Sequence, residues 1–262
     1  MPVFIEERHQ KILEMVQKNG RVEVQELCRT FGISEDSARR DLRLMERAGQ
    51  VERTYGGAIL PREAAATPFE ERGAVNAENK KSIAALAASY VQDGDALFLD
   101  ASTTVAKMVP LLAERKNLTV FTHSVEIARA VLSVGGIGLF LIGGTVDPRS
   151  AAAFGAETCE QIGRLNTDCV FTAPCGLSAG SGLSCAAAEE APVKRAVLGA
   201  GREVFLLVPG EELGKRALVS YAPLLPEYTV LTDSSYRPSG GDEFSGLAAR
   251  GLKILAAGQA EK

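Results

Sequence analysis

Tryptophan is absent from this 262-residue chain, histidine occurs twice and cysteine five times. Only His9 and His123 are available as imidazole ligands. Cys28, Cys159, Cys169, Cys175 and Cys185 form no Cys-x-x-Cys pair. A zinc centre and a disulfide framework therefore have no basis, and the thiols read as structural ones in a reducing cytosol. No apolar run reaches the ~18 residues that a bilayer crossing needs. The first residues are too charged for a secretory signal, so a cytoplasmic protein without a membrane partner, metal or cofactor is expected. A surplus of basic charge is also lacking: 29 Lys and Arg against 33 Asp and Glu leave −4. That excludes a broad cationic coat but not a local basic face, because counterions are released phosphate by phosphate.

What is present is concentrated at Ile33 to Arg47. Ser34 is a good N-cap, and Glu35 and Asp36 suit a first helical turn. At about 100° per residue, Ala38, Leu42 and Met45 share one face. Arg39, Arg40, Arg43 and Arg47 fall opposite, within an arc of about 100°. A helix that packs by one side and offers arginines on the other suits the major groove, whereas in isolation it reads equally as a solvated charged face.

The flanks decide for the groove. Ile5 to Asn19 reads as an amphipathic helix stopped by Asn19-Gly20, and Val24 to Phe31 as a second helix. Gly32 turns the chain into the third. After Ala48-Gly49, the stretch Val51 to Ala58 reads as a short β excursion with a glycine turn. Three helices and a β wing make a winged helix-turn-helix. The expected DNA-contacting set is Ser34, Asp36, Ser37, Arg39, Arg40, Arg43, Arg47, Arg53 and Tyr55, with a double-stranded operator as partner. Two-fold half-site reading predicts a homodimer or homotetramer.

The small domain is expected over 1–58, and a linker over 59–68, marked by Pro61 and Pro68. An α/β domain is expected over 69–262. There, helices at Glu78 to Val91, Thr103 to Arg115, Ser124 to Val134, Phe154 to Arg164, Ala186 to Ala200 and Phe244 to Arg250 alternate with strands. The strands fall at Ala96 to Leu99, Leu118 to Thr122, Gly138 to Ile142, Cys169 to Ala173, Glu203 to Val208, Thr229 to Thr232 and Leu252 to Leu255. Such alternation means a parallel sheet covered on both faces, with ligands at the carboxyl ends of the strands. Asp100 to Thr104, Thr122 to Ser124 and Gly143-Gly144 are three such strand ends. Taken singly, each is explained as a cap or a turn; three in succession point to a ligand site.

The residues Arg8 to Leu13, Val24 to Leu27, Ile33-Ser34, Arg39 to Leu42, Gly49, Arg53 and Gly56-Gly57-Ala58 resemble the N-terminal signature of DeoR-type bacterial transcriptional regulators. Ser37 and Ala38 stand where that family usually has threonine and a β-branched residue. The resemblance continues through Phe69, Arg72, Lys80, Asp93-Gly94-Asp95, Asp100 to Thr104, Thr122 to Ser124, Gly143-Gly144, Gly155, Asp168, Glu190 and Lys194-Arg195. It implies a sensor domain similar to sugar-phosphate isomerases that binds a phosphorylated sugar or related metabolite. By the same resemblance, Ser102, Thr103 and Thr104 hold phosphate and Asp100 takes sugar hydroxyls. Thr122, His123, Gly143 and Gly144 line the pocket, and Lys194 supplies a cation positioned by Glu190. His123 replaces the usual asparagine. Pro209 and Glu212 stand near positions where the family commonly has aspartate and lysine. Either that loop lies off the ligand, or Lys215 and Arg216 replace the missing cation, or the effector differs, or the sensor has lost its ligand.

Two functions are compatible with this pattern. One is a regulator, a repressor of a carbohydrate-metabolism operon, whose grip on DNA changes with the effector. The other is a sugar-phosphate isomerase carrying a DNA-binding module. Isomerisation needs a base and an acid at one carbon. Asp100, Glu190 and His123 are the only candidates, no compact catalytic constellation is evident, and a non-enzymatic protein is expected. Turnover of pentose or hexose phosphates separates the two.

Overall fold

The computed structural model describes residues 5–47, 50–54, 56–59, 69–236 and 243–258. The Arg47 side chain, Tyr55 and 60–68 of the expected linker lie outside the described residues.

The N-terminal unit runs α1 (Ile5–Asn19), β1 (Arg21–Glu23), α2 (Val24–Phe31), α3 (Glu35–Arg47), β2 (Glu52–Thr54) and β3 (Gly57–Ile59). Gly32 ends α2 at φ 63°, a left-handed conformation that glycine adopts without strain. Ser34 accepts from Ser37 N at 3.3 Å and so caps α3. Ile12, Val16, Leu27, Ala38, Leu42 and Met45 are fully buried together. The wing is antiparallel, with β3 between β1 and β2. The strand β1 was not expected; a three-residue run with one buried side chain, Val22, has no readable period. Gly57 is required by this pairing, since a Cβ there would meet the Val22 carbonyl oxygen at 1.8 Å. Ile59, expected to open the linker, is the last residue of β3, paired with Arg21 and Glu52.

The second unit begins with α4 (Phe69–Ala74) and α5 (Ala77–Ala88). Its sheet contains β4 (Ala96–Leu99), β5 (Thr119–Thr122), β6 (Gly138–Leu141), β9 (Thr167–Thr172), β12 (Gly201–Leu207), β14 (Thr229–Thr232) and β15 (Lys253–Ala256). The order is β15-β14-β12-β9-β4-β5-β6, all parallel. Alternation along β4 sends Leu97 and Leu99 into one core and Phe98 into the other. The first core is shared with α5, α6 (Thr103–Ala106) and α7 (Val125–Val134). The second is shared with α8 (Ala156–Ile162), α9 (Glu190–Leu198) and Phe244 before α10 (Ser245–Ala248). The fold is therefore α/β with helices on both faces, behind an N-terminal winged helix.

Several element boundaries differ from expectation. The helix expected over Thr103 to Arg115 is α6 followed by a 3₁₀ turn, Val109–Leu112, because Pro110 has no N–H to continue the helix. The helix expected from Ala186 starts at Glu190, which leaves Pro192 in the first turn, where no intrahelical donor is needed. Phe154, expected in a helix, closes a hairpin of β7 (Thr145–Asp147) and β8 (Ala152–Phe154). A second small antiparallel sheet, β10 (Gly176–Ser178), β11 (Gly182–Cys185) and β13 (Val219–Ala222), was also unforeseen. Among the described residues no helix is long and apolar enough to cross a membrane.

Asp41 lies on the buried side of α3 and is 3% exposed. Arg8 donates to both its carboxylate oxygens, at 2.7 and 3.1 Å, and His9 Nε2 lies 3.3 Å away. This pair locks α3 to α1. Asp41→Ala removes the carboxylate that ties Arg8 and His9 to α3, so urea denaturation should show a loss of about 1–3 kcal/mol from the winged helix. A loss below about 0.5 kcal/mol would place the pair among ordinary surface contacts.

Candidate functional sites: an arginine face and a cavity at the sheet crossover

On α3, Arg39, Arg40 and Arg43 are exposed while Ala38, Leu42 and Met45 are buried. Arg39 lies 3.4 Å from Glu35, and Arg53 on the wing 3.6 Å from Glu46. Such exposed pairs contribute about 0.2–1 kcal/mol, so phosphate can displace the acids. Arg40 and Arg43 have no acidic partner among the described residues. Ser34 and Ser37 hydroxyls lie 3.0 Å apart at the start of α3, and Asp36 is exposed beside them. The motif Arg39-Arg40-Asp41-Leu42 thus divides in two: its arginines face out and its aspartate holds the helix down. Sequence reading missed Asp41, although a carboxylate on an apolar face demands a partner and Arg8 and His9 stand on α1.

The chain runs outward from β4 through β5 to β6, then returns to the other side of β4 at β9. The crevice beyond the carboxyl ends of β4 and β9 is therefore the switch point where open α/β sheets bind ligands. Asp100 follows β4 there and is fully buried. It accepts from Thr172 Oγ1 at 2.5 Å, from Lys194 Nζ at 2.6 Å and from His123 Nε2 at 2.9 Å. Burial opposes its ionisation, but the Lys194 charge and the bonds from His123 and Lys194 outweigh it and hold the carboxyl well below the usual range. Burial likewise disfavours charge on Lys194, yet Asp100 and Glu190 raise its ammonium above the ordinary value. Lys194 also donates to Ala173 O at 3.0 Å. His123 Nδ1 lies 2.8 Å from Ala153 O. Its Nε2, besides facing Asp100, lies 3.4 Å from Ala101 N.

A cavity of about 480 Å³ opens above this cluster. Asp100, Ser102, Thr103, Thr104, His123 and Lys194 line it. Ser102 also caps α6, accepting from Thr104 N at 3.1 Å. Three expected members lie elsewhere. Thr122 donates to Leu99 O at 2.6 Å and accepts from Ser124 N, joining β5 to β4. Gly143 and Gly144 pack on α8, where Thr158 donates to Gly143 O at 2.8 Å and a Cβ on Gly144 would meet that hydroxyl oxygen at 2.0 Å. The reason is strand order: β6 is the edge strand, farthest from the crossover. Sequence reading missed Arg72 on α4 and Lys80 on α5 as cavity residues. Lys80 donates to Arg72 O at 2.5 Å, and Arg72 Nε is buried without a partner. In the loop after β12, Pro209, Glu211, Glu212, Lys215 and Arg216 line the cavity.

A winged helix with an outward arginine face, joined to an α/β unit with a polar cavity at its crossover, defines a ligand-sensing DNA-binding protein. Family models agree with that division. The DeoR-like helix-turn-helix domain matches residues 8–64, and the DeoR C-terminal sensor domain matches residues 75–234. The chain belongs to the DeoR family of transcriptional regulators. It is 31% identical over 232 residues to the HTH-type transcriptional repressor GlcR of Bacillus subtilis, covering 88% of this chain and 89% of that one. It is 28% identical over 228 residues to the glycerol-3-phosphate regulon repressor of Escherichia coli, covering 87% and 90%. Among solved structures, ribose 5-phosphate isomerase A of Methanocaldococcus jannaschii aligns with TM-score 0.39 at 16% identity, over 53% of this chain and 55% of that one. At that score the likeness carries no argument about ligand or activity.

Asp100→Asn keeps the size of the side chain but leaves Lys194 buried beside a neutral amide. The variant should lose about 3–5 kcal/mol in stability by denaturant unfolding. Because the folded-state carboxyl is held below its unfolded value, this contribution is complete above the unfolded carboxylate range and is lost progressively as pH falls from there through the lower folded value. The gap between wild type and variant should therefore be full at about pH 7 and narrow steadily as pH falls below about 4. A gap independent of pH would show that Asp100 is not charged in the fold.

Proposed function

We propose that this regulator represses a carbohydrate-metabolism operon and is released from its operator by a phosphorylated sugar or related metabolite bound in the crossover cavity. The observation that carries the effector reading is the cavity wall: Arg72, Lys80, Lys215 and Arg216 line the same cavity as Ser102, Thr103 and Thr104. Cations beside short hydroxyl side chains suit a phosphate, and Glu190 offers an acceptor for sugar hydroxyls; Asp100, expected in that role, is buried with both oxygens bonded. The names of the two relatives above support repression. The protein acts as a homodimer or homotetramer on a two-fold operator. Of the three groups an isomerase reading offers, Asp100 and His123 are bonded to each other, which leaves Glu190 in the cavity as the base that turnover would need. A panel of pentose and hexose phosphates tests this: saturable binding without turnover supports the sensor, and turnover overturns it.

The route from cavity to DNA is short. Arg216, Ala217 and Leu218 line the cavity on one side. On the other they line a cleft shared with Gly20, Arg21, Glu35 and Arg39 of the winged helix. A Cβ on Gly20 would lie 3.6 Å from Ala217 O. An effector that engages Lys215 and Arg216 shifts a segment that lies against Gly20 and shares a cleft with Glu35 and Arg39 of the reading helix. Hydrogen exchange should show segments 215–218 and 19–25 changing protection together when a sugar phosphate binds; independent responses would remove this route.

On DNA, Arg40→Ala and Arg43→Ala should each lower discrimination between operator and random sequence by about 1–3 kcal/mol if they read guanines. Arg53→Ala should weaken all sequences alike and reduce the salt slope by about one unit. Filter binding across a salt series checks both. Unchanged specificity in both α3 variants would move base reading off this face.

A further inference from the structure

Glu212 closes the 3₁₀ turn Gly210–Glu212 and lines the cavity on the same wall as the cations. No hydrogen bond or ion pair reaches its carboxylate among the described residues, whereas its neighbour Glu211 bonds Asn76. Lys80 faces it from α5, and Glu211 and Lys215 flank it on its own loop. Arg72 and Glu190 stand on the further walls. An anion drawn to Lys80 and Lys215 is therefore brought against a carboxylate. Two like charges in a partly dry cavity repel, and the cheapest relief is a proton on the weaker acid.

We propose that Glu212 couples effector binding to proton uptake: an anionic effector enters this cavity together with one proton, which Glu212 holds, and this rests on the cavity being a site for a phosphorylated ligand. Protonated, Glu212 becomes a hydrogen-bond donor to the anion instead of a repelling charge. Burial above all, against the pull of Lys80 and with Glu211 adding to it, pushes its carboxyl up to about 7. A bound anion pushes it further in the same direction. Affinity is then full below that value and falls as pH rises through it, by about tenfold per pH unit. Glu212 thus stands as a specificity residue, favouring the effector on the acid side of neutrality.

The test uses the full chain and probes whose own charge is fixed near neutrality: inorganic sulfate and a hexose 6-sulfate. Calorimetry at about pH 6 and about pH 8, in buffers of different ionisation enthalpy, reads affinity and protons taken up together. The wild type should bind about tenfold more weakly at the higher pH and take up close to one proton there. Glu212→Gln should bind with little pH dependence and no uptake, while Glu157→Gln, exposed on α8 away from the cavity, retains the wild-type slope. A wild type whose affinity is flat with pH, or a Glu212→Gln variant that still takes up a proton, overturns the proposal and leaves the anion site standing. Failure of both probes to bind either protein at any pH overturns the anion site and this proposal with it.

Discussion

The carboxylate of Asp100 is the point on which the sensor's geometry depends. A bare carboxylate in a protein interior is costly, so it must be paired and hydrogen-bonded wherever it is found. Here its partners come from different parts of the fold: Thr172 from β9, His123 from the end of β5 and Lys194 from α9. Moving any of these elements uncovers a charge. The cluster therefore fixes the floor of the crossover cavity and holds β4 and β9 in register beneath it. His123 extends the tie to Ala153 in the β7–β8 hairpin, and its ring packs edge-on to Phe154 at 5.8 Å. The wall above is built differently. Its charged groups sit on α4, α5 and the loop after β12; among the described residues Arg72 Nε is buried without a hydrogen-bond partner and no hydrogen bond or ion pair reaches the Glu212 carboxylate. A rigid floor under an unsatisfied wall is what allows a ligand to alter the wall without unfolding the sheet.

That distinction bears on how one end of the molecule informs the other. Coupling between two sites requires an element that both can bias. The stretch from Lys215 to Leu218 meets the condition by position. It is pinned at one end by Ala217 N donating to Ser184 Oγ at 2.8 Å and continues into β13. Its carbonyls crowd Gly176, where a Cβ would meet Lys215 O at 2.9 Å. Packed so closely, it transmits displacement rather than absorbing it. A proline-marked linker is the obvious conduit on paper, but the contact between Ala217 and Gly20 supplies a direct one.

What could be read from residues alone follows the reach of each signal. The period of α3 is local, so its buried and exposed faces are legible in Ala38, Leu42 and Met45 against the arginines. Asp100 to Thr104 and His123 are legible because a strand end opening a helix is also a local pattern. Gly143-Gly144 obeys the same pattern yet lies away from the cavity, since the position of β6 at the sheet edge depends on strand order, which no local window contains. Arg72 and Lys80 failed in the opposite direction. They sit on helices rather than strand ends, and only the packing of α4 and α5 over the crossover brings them in. The small sheet of β10, β11 and β13 was missed because three- and four-residue strands carry too few positions to show a period.

Charges with partners and charges without them divide this molecule into scaffold and interface. Arg40 and Asp41 are adjacent in sequence and about 100° apart on the helix. The aspartate is buried and bound by Arg8; the arginine faces out unpaired. The same division separates Asp100, satisfied on both oxygens, from Glu212, satisfied on neither. An exposed arginine costs little to leave unpaired, because water and salt screen it, and that makes the α3 face available to phosphates without penalty to folding. A half-buried carboxylate in a cavity is screened less, and a proton or a ligand relieves its cost. The winged helix can therefore hold its binding charges ready at every pH near neutrality. The sensor wall differs, and under the coupling proposed for Glu212 its ligand site responds to proton concentration.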